Sequence, residues 1–216
     1  MHKTAIILGA TGLVGRTLLQ LLIEDDRYTT VKIFGRSSTT ITHPKVAEYL
    51  GDLFNLATFS EVFTGDVVFC CIGTTKAKTP DKETYKKIDH GIPLSAAILA
   101  KQNNIKQFQV ISAMGANENS STFYNKVKGE MERDVLAQGI QDTIILQPSL
   151  IGGNRAEKRL GEQLAQKTMR WFDFLVPKRY KIIEPETIAK AMIIIADKGY
   201  KTQRVASDQI KEIVGL

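Results

Sequence analysis

Short apolar runs alternate along the chain with longer segments in which apolar residues recur at helical spacing. The runs predict six β-strands, at Thr4–Leu8, Val31–Phe34, Val46–Leu50, Asp66–Cys71, Gln107–Ser112 and Thr143–Gln147. The other segments predict helices at Leu13–Glu24, Asn55–Val62, Ile88–Gln102, Asn125–Gln138 and Glu186–Ala196. Such alternation is typical of parallel strands joined by crossover helices. The pattern therefore predicts an α/β fold of the Rossmann type, a doubly wound parallel sheet with helices on both faces.

The segment from Ile151 to Ile183 departs from this alternation. It begins with two glycines and contains the apolar cluster around Trp171 and Phe172. We expect it to form a small cap on the substrate side, beside the carboxyl edge of the sheet, with those aromatic residues in its packing. No linker or internal repeat interrupts the sequence, and 216 residues suit one large domain. We therefore predict a single domain over residues 1–216.

Composition excludes several classes of protein. Two adjacent cysteines and three scattered histidines offer no metal-ligand spacing, so no metal site is expected. No apolar run reaches the 18 or more residues of a spanning helix, and glycines interrupt the first apolar run before it could serve as a signal peptide. The net charge of +6 is mild, and no basic helix with interleaved aromatic residues is present. We expect a cytoplasmic protein that neither spans a membrane nor binds nucleic acid.

A glycine-rich segment joins the first predicted strand to the first predicted helix. It comprises Gly9, Ala10, Thr11, Gly12, Leu13, Val14 and Gly15, with GxxGxxG spacing. Gly9 would permit a tight turn, Gly12 a close approach to a diphosphate, and Gly15 close packing of the helix on the strand. The N–H groups at the helix N-terminus can then bind phosphate oxygens. The loop predicts a dinucleotide site, with Thr11, Leu13 and Val14 as further contacts.

The end of the second predicted strand indicates which dinucleotide is bound. An acidic residue there would bind the ribose 2′-hydroxyl, but this strand runs into Gly35, Arg36 and Ser37. A guanidinium group can pair with a 2′-phosphate as a planar fork, and a serine hydroxyl can donate to it. The sequence therefore favours NADP(H) over NAD(H).

Tyr124 and Lys128 form a YxxxK pair near the start of a predicted helix. A spacing of four residues places both side chains on one helix face. A nearby ammonium group lowers the pKa of a phenol, so that the tyrosine could act as acid or base while hydride moves. Ser112, at the end of the fifth predicted strand, could bind the substrate oxygen. These three residues are the predicted catalytic group, and Lys128 could also hold the nicotinamide ribose.

Together these segments resemble the short-chain dehydrogenase/reductase superfamily in its extended, atypical branch, and most of all the Tat-interacting-protein-like oxidoreductases. The ordered set spans residues 1 to about 150. It comprises the glycine loop, Gly51-Asp52-Leu53, Cys71-Ile72-Gly73-Thr74-Thr75, Ser112-Ala113-Met114-Gly115-Ala116, Tyr124 with Lys128-Gly129-Glu130, and Gln147-Pro148-Ser149.

The resemblance implies NADPH bound on a sheet of the order 3-2-1-4-5-6. It implies further cofactor contacts at Asp52, Leu53, Ile72, Gly73, Thr74, Pro148 and Leu150. Asp52 and Leu53 would lie by the adenine, and Pro148 and Leu150 on the nicotinamide side. One departure is the asparagine that superfamily members often carry on the fourth helix: the nearest residue here is Asp89, to which we assign no relay role.

Three functions remain open at this point. The first is an NADP(H)-dependent oxidoreductase that acts on a small carbonyl or alcohol. The second is a non-catalytic NADPH-binding regulatory or interaction protein, and the third is a nucleotide-sugar epimerase or dehydratase. Two basic clusters, at residues 76–87 and 155–181, would attract an acidic substrate or are merely solvated surface. The protein is expected to be a monomer or a homodimer.

Overall fold

A sheet of seven parallel strands forms the centre of the described structure, which covers residues 2–152 and 177–216 of this computed structural model. The strands are β1 (Lys3–Leu8), β2 (Tyr28–Gly35), β3 (Val46–Leu50), β4 (Val67–Cys70), β5 (Gln107–Ile111), β6 (Asp142–Gln147) and β7 (Arg204–Ala206). Their order is β3-β2-β1-β4-β5-β6-β7. The predicted α/β fold is confirmed, and the implied six-strand order continues into a seventh strand.

Helices cover both faces of the sheet. The described α-helices are α1 (Leu13–Glu24), α2 (Lys82–Lys86), α3 (Ile92–Gln102), α4 (Phe123–Leu136), α5 (Pro185–Lys198) and α6 (Ser207–Ile213). A π-helical segment, Lys87–Gly91, joins α2 to α3. Short 3-10 helices lie at Leu53–Phe59 and Lys178–Tyr180.

Two apolar cores lie on opposite faces of the sheet. In β1, Ala5 and Ile7 pack into the core that α1, α5 and α6 cover. Ile6 and Leu8 face the other core, beneath the first 3-10 helix, α3 and α4. Because both faces are covered, the strand is apolar at every one of these positions instead of alternating with polar residues.

Three features of the fold differ from the sequence predictions. The helix predicted from Ile88 starts six residues earlier, because α2 and the π-helical segment precede α3. The extra residue of a π turn shifts the side-chain register, so the helical spacing of apolar residues is broken there. Neither β7 nor α6 was predicted, since β7 has only three residues and begins with a charged arginine.

Most of the predicted cap lies outside the described residues, including Trp171, Phe172 and the basic residues from Arg155 to Arg170. Its two ends are described and lie side by side. Ile151 forms a parallel bridge with Ile183, and the Gly152 N–H donates to the Ile183 carbonyl at 2.9 Å. The segment that joins them therefore starts and finishes at one point of the carboxyl edge.

A buried carboxylate, that of Glu132, fastens α4 to three strands. Its oxygens accept hydrogen bonds from the Ser112 hydroxyl after β5, at 2.5 Å, and from the Gln147 amide of β6, at 2.8 Å. The Arg204 guanidinium of β7 forms an ion pair with it at 2.8 Å. Glu132 is only 2% exposed, so these partners replace the water that the carboxylate would otherwise need.

We expect Glu132→Ala to lower the free energy of unfolding by about 1–3 kcal/mol, because buried donors on Ser112 and Gln147 lose their acceptor. Urea unfolding measures the change. Glu118→Ala is the matched control: Glu118 pairs with Arg133 at the surface, and its loss should cost less than about 1 kcal/mol. Equal effects of the two substitutions would contradict the assigned role of Glu132.

Candidate cofactor and catalytic site

The predicted site residues meet at the carboxyl edge of the sheet, where the strand order changes direction. β1 has β2 on one side and β4 on the other, so the loops that follow β1 and β4 leave in opposite directions. Ligands of open α/β sheets bind in the crevice at such a switch point. Three adjoining cavities lie here, of about 620, 470 and 790 Å³.

The glycine loop brings the N-terminus of α1 against the end of β1. Gly9 has a φ of +85°, a left-handed conformation that favours glycine. A Cβ added to Gly15 would lie 2.2 Å from the Gly9 carbonyl oxygen, so only a glycine permits this approach. No side chain caps α1 at Gly12, and its first turn holds no acidic residue. Within the described part of the chain, the first N–H groups of the helix, which have no intrahelical acceptor, therefore remain open to an anion.

The largest set of predicted cofactor contacts lines the 620 Å³ cavity. Gly9, Thr11 and Gly12 form one wall, Arg36, Asp52 and Leu53 the end towards β2 and β3, and Ile72, Gly73 and Thr74 the opposite wall. The Asp52 side chain also accepts a hydrogen bond from the Phe54 N–H at 3.0 Å, which fixes the start of the 3-10 helix. Ser37 is exposed beside Arg36 and is not among the described residues that line this cavity.

The predicted catalytic group lies in the adjoining 470 Å³ cavity. Ser112, Tyr124 and Lys128 line it together with Thr11, Gly12, Leu13 and Val14 of the glycine loop. Tyr124 is in the first turn of α4 and is 40% exposed, whereas Lys128, one turn later, is 3% exposed. The YxxxK spacing thus presents an accessible phenol above a buried ammonium group, at the same cleft as the glycine loop.

Lys128 is held in its charged form by Asp89. Its Nζ lies 3.0 Å from Asp89 Oδ1 and donates to the Ile111 carbonyl at 3.4 Å. Burial lowers the pKa of Lys128, but the neighbouring Asp89 and Tyr124 raise it by more, so that the net pKa lies above its ordinary value. The side chain is therefore a fixed cation at neutral pH.

The hydroxyl of Ser112 is directed to a carboxylate. Ser112 is 4% exposed, and its hydroxyl donates to Glu132. Its proton is thereby engaged by Glu132, one turn of α4 beyond Lys128. In this arrangement the serine can offer a substrate only its oxygen lone pairs, or else must rotate its hydroxyl.

The 790 Å³ cavity adjoins Tyr124 and has an aromatic wall. The rings of Tyr85 and Tyr124 lie 6.5 Å apart, edge to face, and Tyr180 lines the same cavity. Burial raises the pKa of Tyr85, whose hydroxyl donates to the Thr74 carbonyl at 3.3 Å. Pro148 and Leu150, expected on the nicotinamide side, also line this cavity.

Two lysines of the 76–87 cluster, Lys76 and Lys82, line the 790 Å³ cavity. A third, Lys78, lines the other two cavities, across from the glycine loop. Lys86 instead forms an ion pair with Glu130 at 2.7 Å. The cluster is therefore divided between the cleft and the surface.

Sequence reasoning missed the roles of Tyr85 and Asp89 in the site, and it identified Lys78 only as one member of a basic cluster. Tyr85 carries no motif, and its position follows from α2. Asp89 was noticed only as the residue nearest to the asparagine that the resemblance implies. A buried aspartate cannot be recognised from one sequence, because its neighbours lie far from it along the chain.

Fold and site together define a dinucleotide-binding Rossmann protein. The chain belongs to a family of NAD(P)H-binding proteins, whose sequence profile matches residues 9–170. It is 33% identical to the mitochondrial protein FMP52 of Candida albicans over 211 residues, which cover 91% of this chain and 89% of that protein. It is also 33% identical to protein HTATIP2 of Rattus norvegicus over 170 residues, which cover 77% and 70% of the two chains. The resemblance to the Tat-interacting-protein-like group is thus confirmed.

Solved structures share the fold at low identity. The Bordetella bronchiseptica enzyme WbmH, in complex with NAD+, matches with a TM-score of 0.75 and 15% identity, covering 95% of this chain and 75% of that one. UDP-sugar epimerases are among the other structural matches. At such identities the likeness shows the fold alone.

The prediction of a cytoplasmic location is wrong by these comparisons. Several relatives are FMP52 proteins whose names carry the word mitochondrial, so the comparisons do not support a cytoplasmic location. Within the described part of the chain, no helix has both the length and the apolar character needed to cross a bilayer. The same residues contain no group of three or more potential metal ligands.

We expect Gly15→Ala to abolish NAD(P)H binding and to lower the free energy of unfolding by about 1–3 kcal/mol, because the new methyl group overlaps the Gly9 carbonyl. Fluorescence titration and urea unfolding measure both effects. Gly91→Ala is the control, since Gly91 is helical with nothing within 4 Å of an added Cβ. Gly91→Ala should raise the free energy of unfolding by about 0.5–1 kcal/mol and leave cofactor binding intact. Normal NADPH affinity in Gly15→Ala would rule out the loop as the diphosphate site.

Proposed function

We propose that the protein is an NADP(H)-dependent oxidoreductase that acts on a small carbonyl or alcohol. The observation that carries the proposal is that Tyr124 and Lys128 line the same cavity as the glycine loop. A dinucleotide whose diphosphate is bound at α1 would extend its nicotinamide towards that cavity. Such an arrangement is what hydride transfer with a tyrosine acid or base requires.

The residues at the cleft fit a dinucleotide. The open N–H groups of α1 supply diphosphate donors, and Lys78 across the cleft supplies a cation. Arg36 would pair with a 2′-phosphate, and Lys128 would donate to the nicotinamide ribose. When bound, the nicotinamide supplies or accepts the hydride. Tyr124 donates its phenolic proton to the substrate oxygen during reduction, and as a phenolate it takes up the hydroxyl proton of the substrate during oxidation. The fixed charge of Lys128 stabilises that phenolate.

The 790 Å³ cavity supports a substrate with an apolar body and an acidic group. Tyr85, Phe123 and Tyr180 offer flat apolar surface, whereas Lys76 and Lys82 are the charged residues among its described lining. The Lys82 Nζ lies 5.6 Å from the centre of the Phe123 ring, at the junction of the two kinds of surface. An aromatic or aliphatic aldehyde or ketone that also bears a carboxylate suits this combination.

A second candidate is a non-catalytic NADPH-binding protein that acts through a partner. It is favoured by the hydrogen bond from Ser112 to Glu132, because the serine then offers no proton to a substrate oxygen. Cofactor binding without oxidation of NADPH by a panel of acidic and neutral carbonyl compounds would favour this candidate. Turnover with any member of the panel would favour the oxidoreductase.

We expect Arg36→Ala to raise the Kd for NADPH by about 10- to 100-fold, because a charge-assisted pair with the 2′-phosphate is lost. The Kd for NADH should change little. Arg36→Lys should fall between, since it keeps the charge but not the planar fork. Fluorescence titrations with the two cofactors make the measurement. A parallel loss of affinity for both would exclude Arg36 as the 2′-phosphate ligand.

We expect Tyr124→Phe to reduce turnover by about 100-fold or more, because the proton donor is removed. NADPH binding should be preserved, since the ring stays in place. Tyr180→Phe is the matched control, as Tyr180 lines the substrate-side cavity and lies outside the cavity of Lys128. Steady-state kinetics with the best carbonyl of the panel measures both. Full activity of Tyr124→Phe would refute the proposed chemistry.

A further inference from the structure

Asp89 is a fully buried carboxylate in the π-helical segment between α2 and α3. The exposed fraction of Asp89 is 0%. Oδ1 lies 3.0 Å from the Nζ of Lys128, and Oδ2 accepts a hydrogen bond from the Thr74 N–H at 2.7 Å. The two oxygens thus reach two different elements, α4 and the loop after β4. Both of these elements line the 470 Å³ cavity of the candidate site.

Among the described residues, Asp89 is the only anion close to the ammonium group of Lys128. A buried lysine without a counter-charge loses its proton readily, because burial disfavours the charged form. The one other described contact of Nζ is the Ile111 carbonyl, a neutral acceptor. The charge of Asp89 is therefore what keeps Lys128 protonated inside the fold.

The contact with Thr74 fixes the opposite wall of the cleft. Thr74 follows Ile72 and Gly73, which line both cofactor cavities. A Cβ on Gly73 would lie 3.7 Å from Asp89 Oδ1 and 3.9 Å from Lys128 Nζ, so the loop passes directly beside the ion pair. One carboxylate therefore sets the position of the lysine and of the loop that faces it.

We propose that Asp89 is a positioning residue, which holds Lys128 protonated and aligned at the cofactor cleft and fixes the Thr74 loop beside it. This inference rests on the proposed function for the role of Lys128 towards cofactor and phenol. The proposed role of Asp89 depends on its charge. An amide in its place could keep the hydrogen bond to Thr74 and could not compensate an ammonium group.

Other titratable groups lie close to the Asp89–Lys128 pair. They are Tyr124 from α4, Cys70 from β4, Tyr85 from α2 and Lys78 from the loop after β4. Burial raises the pKa of Cys70 to about 11. Two further pairs, Lys86 with Glu130 and His90 with Asp134, flank it along the same two helices. All of them are present in both wild type and a single variant at Asp89, which removes only the smaller contribution of Asp89 to the pKa of Cys70 and Tyr85.

The test is the pH dependence of unfolding of wild type and of Asp89→Asn between pH 7 and 10, without cofactor. In the wild type the pKa of Lys128 is raised, so the pair stabilises the fold throughout this range and weakens only as the pH approaches and passes the raised pKa. In Asp89→Asn the contribution of Asp89 is lost, so that burial, the largest influence on this group, lowers the pKa of Lys128. The variant then regains stability as the pH rises and the lysine becomes neutral.

At pH 7 we expect the unfolding constant of Asp89→Asn to exceed that of wild type by about 100-fold or more. The ratio should fall by about 10-fold or more on going to pH 10. Asp26→Asn, the same change at an exposed loop position, should give a small ratio that does not vary with pH. If Asp89→Asn does not fold at pH 7, the double variant Asp89→Asn/Lys128→Met should fold, because no buried charge is left unpaired.

A ratio for Asp89→Asn that is constant from pH 7 to 10 overturns the inference, as does a double variant no more stable than the single one. NADPH titration separates this failure from failure of the proposed function. The Kd of Asp89→Asn should rise more steeply with pH than that of wild type, as Lys128 loses its charge. A wild type that does not bind NADPH defeats the proposed function and leaves the unfolding result for the Asp89–Lys128 pair standing.

Discussion

Two side chains of opposite charge, Lys128 and Glu132, are buried one turn apart on α4, and neither could stay there without partners from other elements. Asp89 compensates the lysine, while Ser112, Gln147 and Arg204 compensate the glutamate. These contacts tie α4 to the π-helical segment and to the last three strands of the sheet. Because an unpaired buried charge is costly, α4 must pack where both Lys128 and Glu132 reach their partners. That position places Tyr124 at the cleft.

The site arises where two halves of the sheet diverge. The half built on β1 to β3 supplies the glycine loop, Arg36 and Asp52, and the half built on β4 to β6 supplies the Thr74 loop and the α4 residues. The first half contributes backbone donors and a guanidinium group, which suit phosphates. The second contributes a phenol beside a fixed cation, which suits proton transfer. The phosphate-suited groups and the phenol–ammonium pair therefore lie on different halves of the sheet, which meet only in the folded chain.

The π-helical segment Lys87–Gly91 directs the acidic side chain of Asp89 into the buried part of the cleft. A π turn inserts an extra residue into the helix and rotates the side chains that follow, and such turns often occur at functional sites. Here Asp89 faces Lys128, and the adjacent His90 bonds to Asp134 at 2.8 Å. Two consecutive residues of the π-helical segment therefore make polar contacts with α4.

The sequence by itself determined the sheet, the glycine loop and the YxxxK pair, because each depends on residues close together along the chain. Apolar runs define buried parallel strands, and three glycines at one strand–helix junction predict a phosphate-binding turn. Only the tertiary structure decided the partners of Ser112, Lys128 and Glu132, since Asp89 and Arg204 lie 39 and 72 residues from the groups they pair with. The tertiary structure also added β7 at the end of the sheet, because three residues are too few to show a strand pattern in the sequence. It likewise divided the lysines of the 76–87 cluster between the cavities and the surface. Burial and pairing of charge are properties of neighbours in space, and one sequence does not state them.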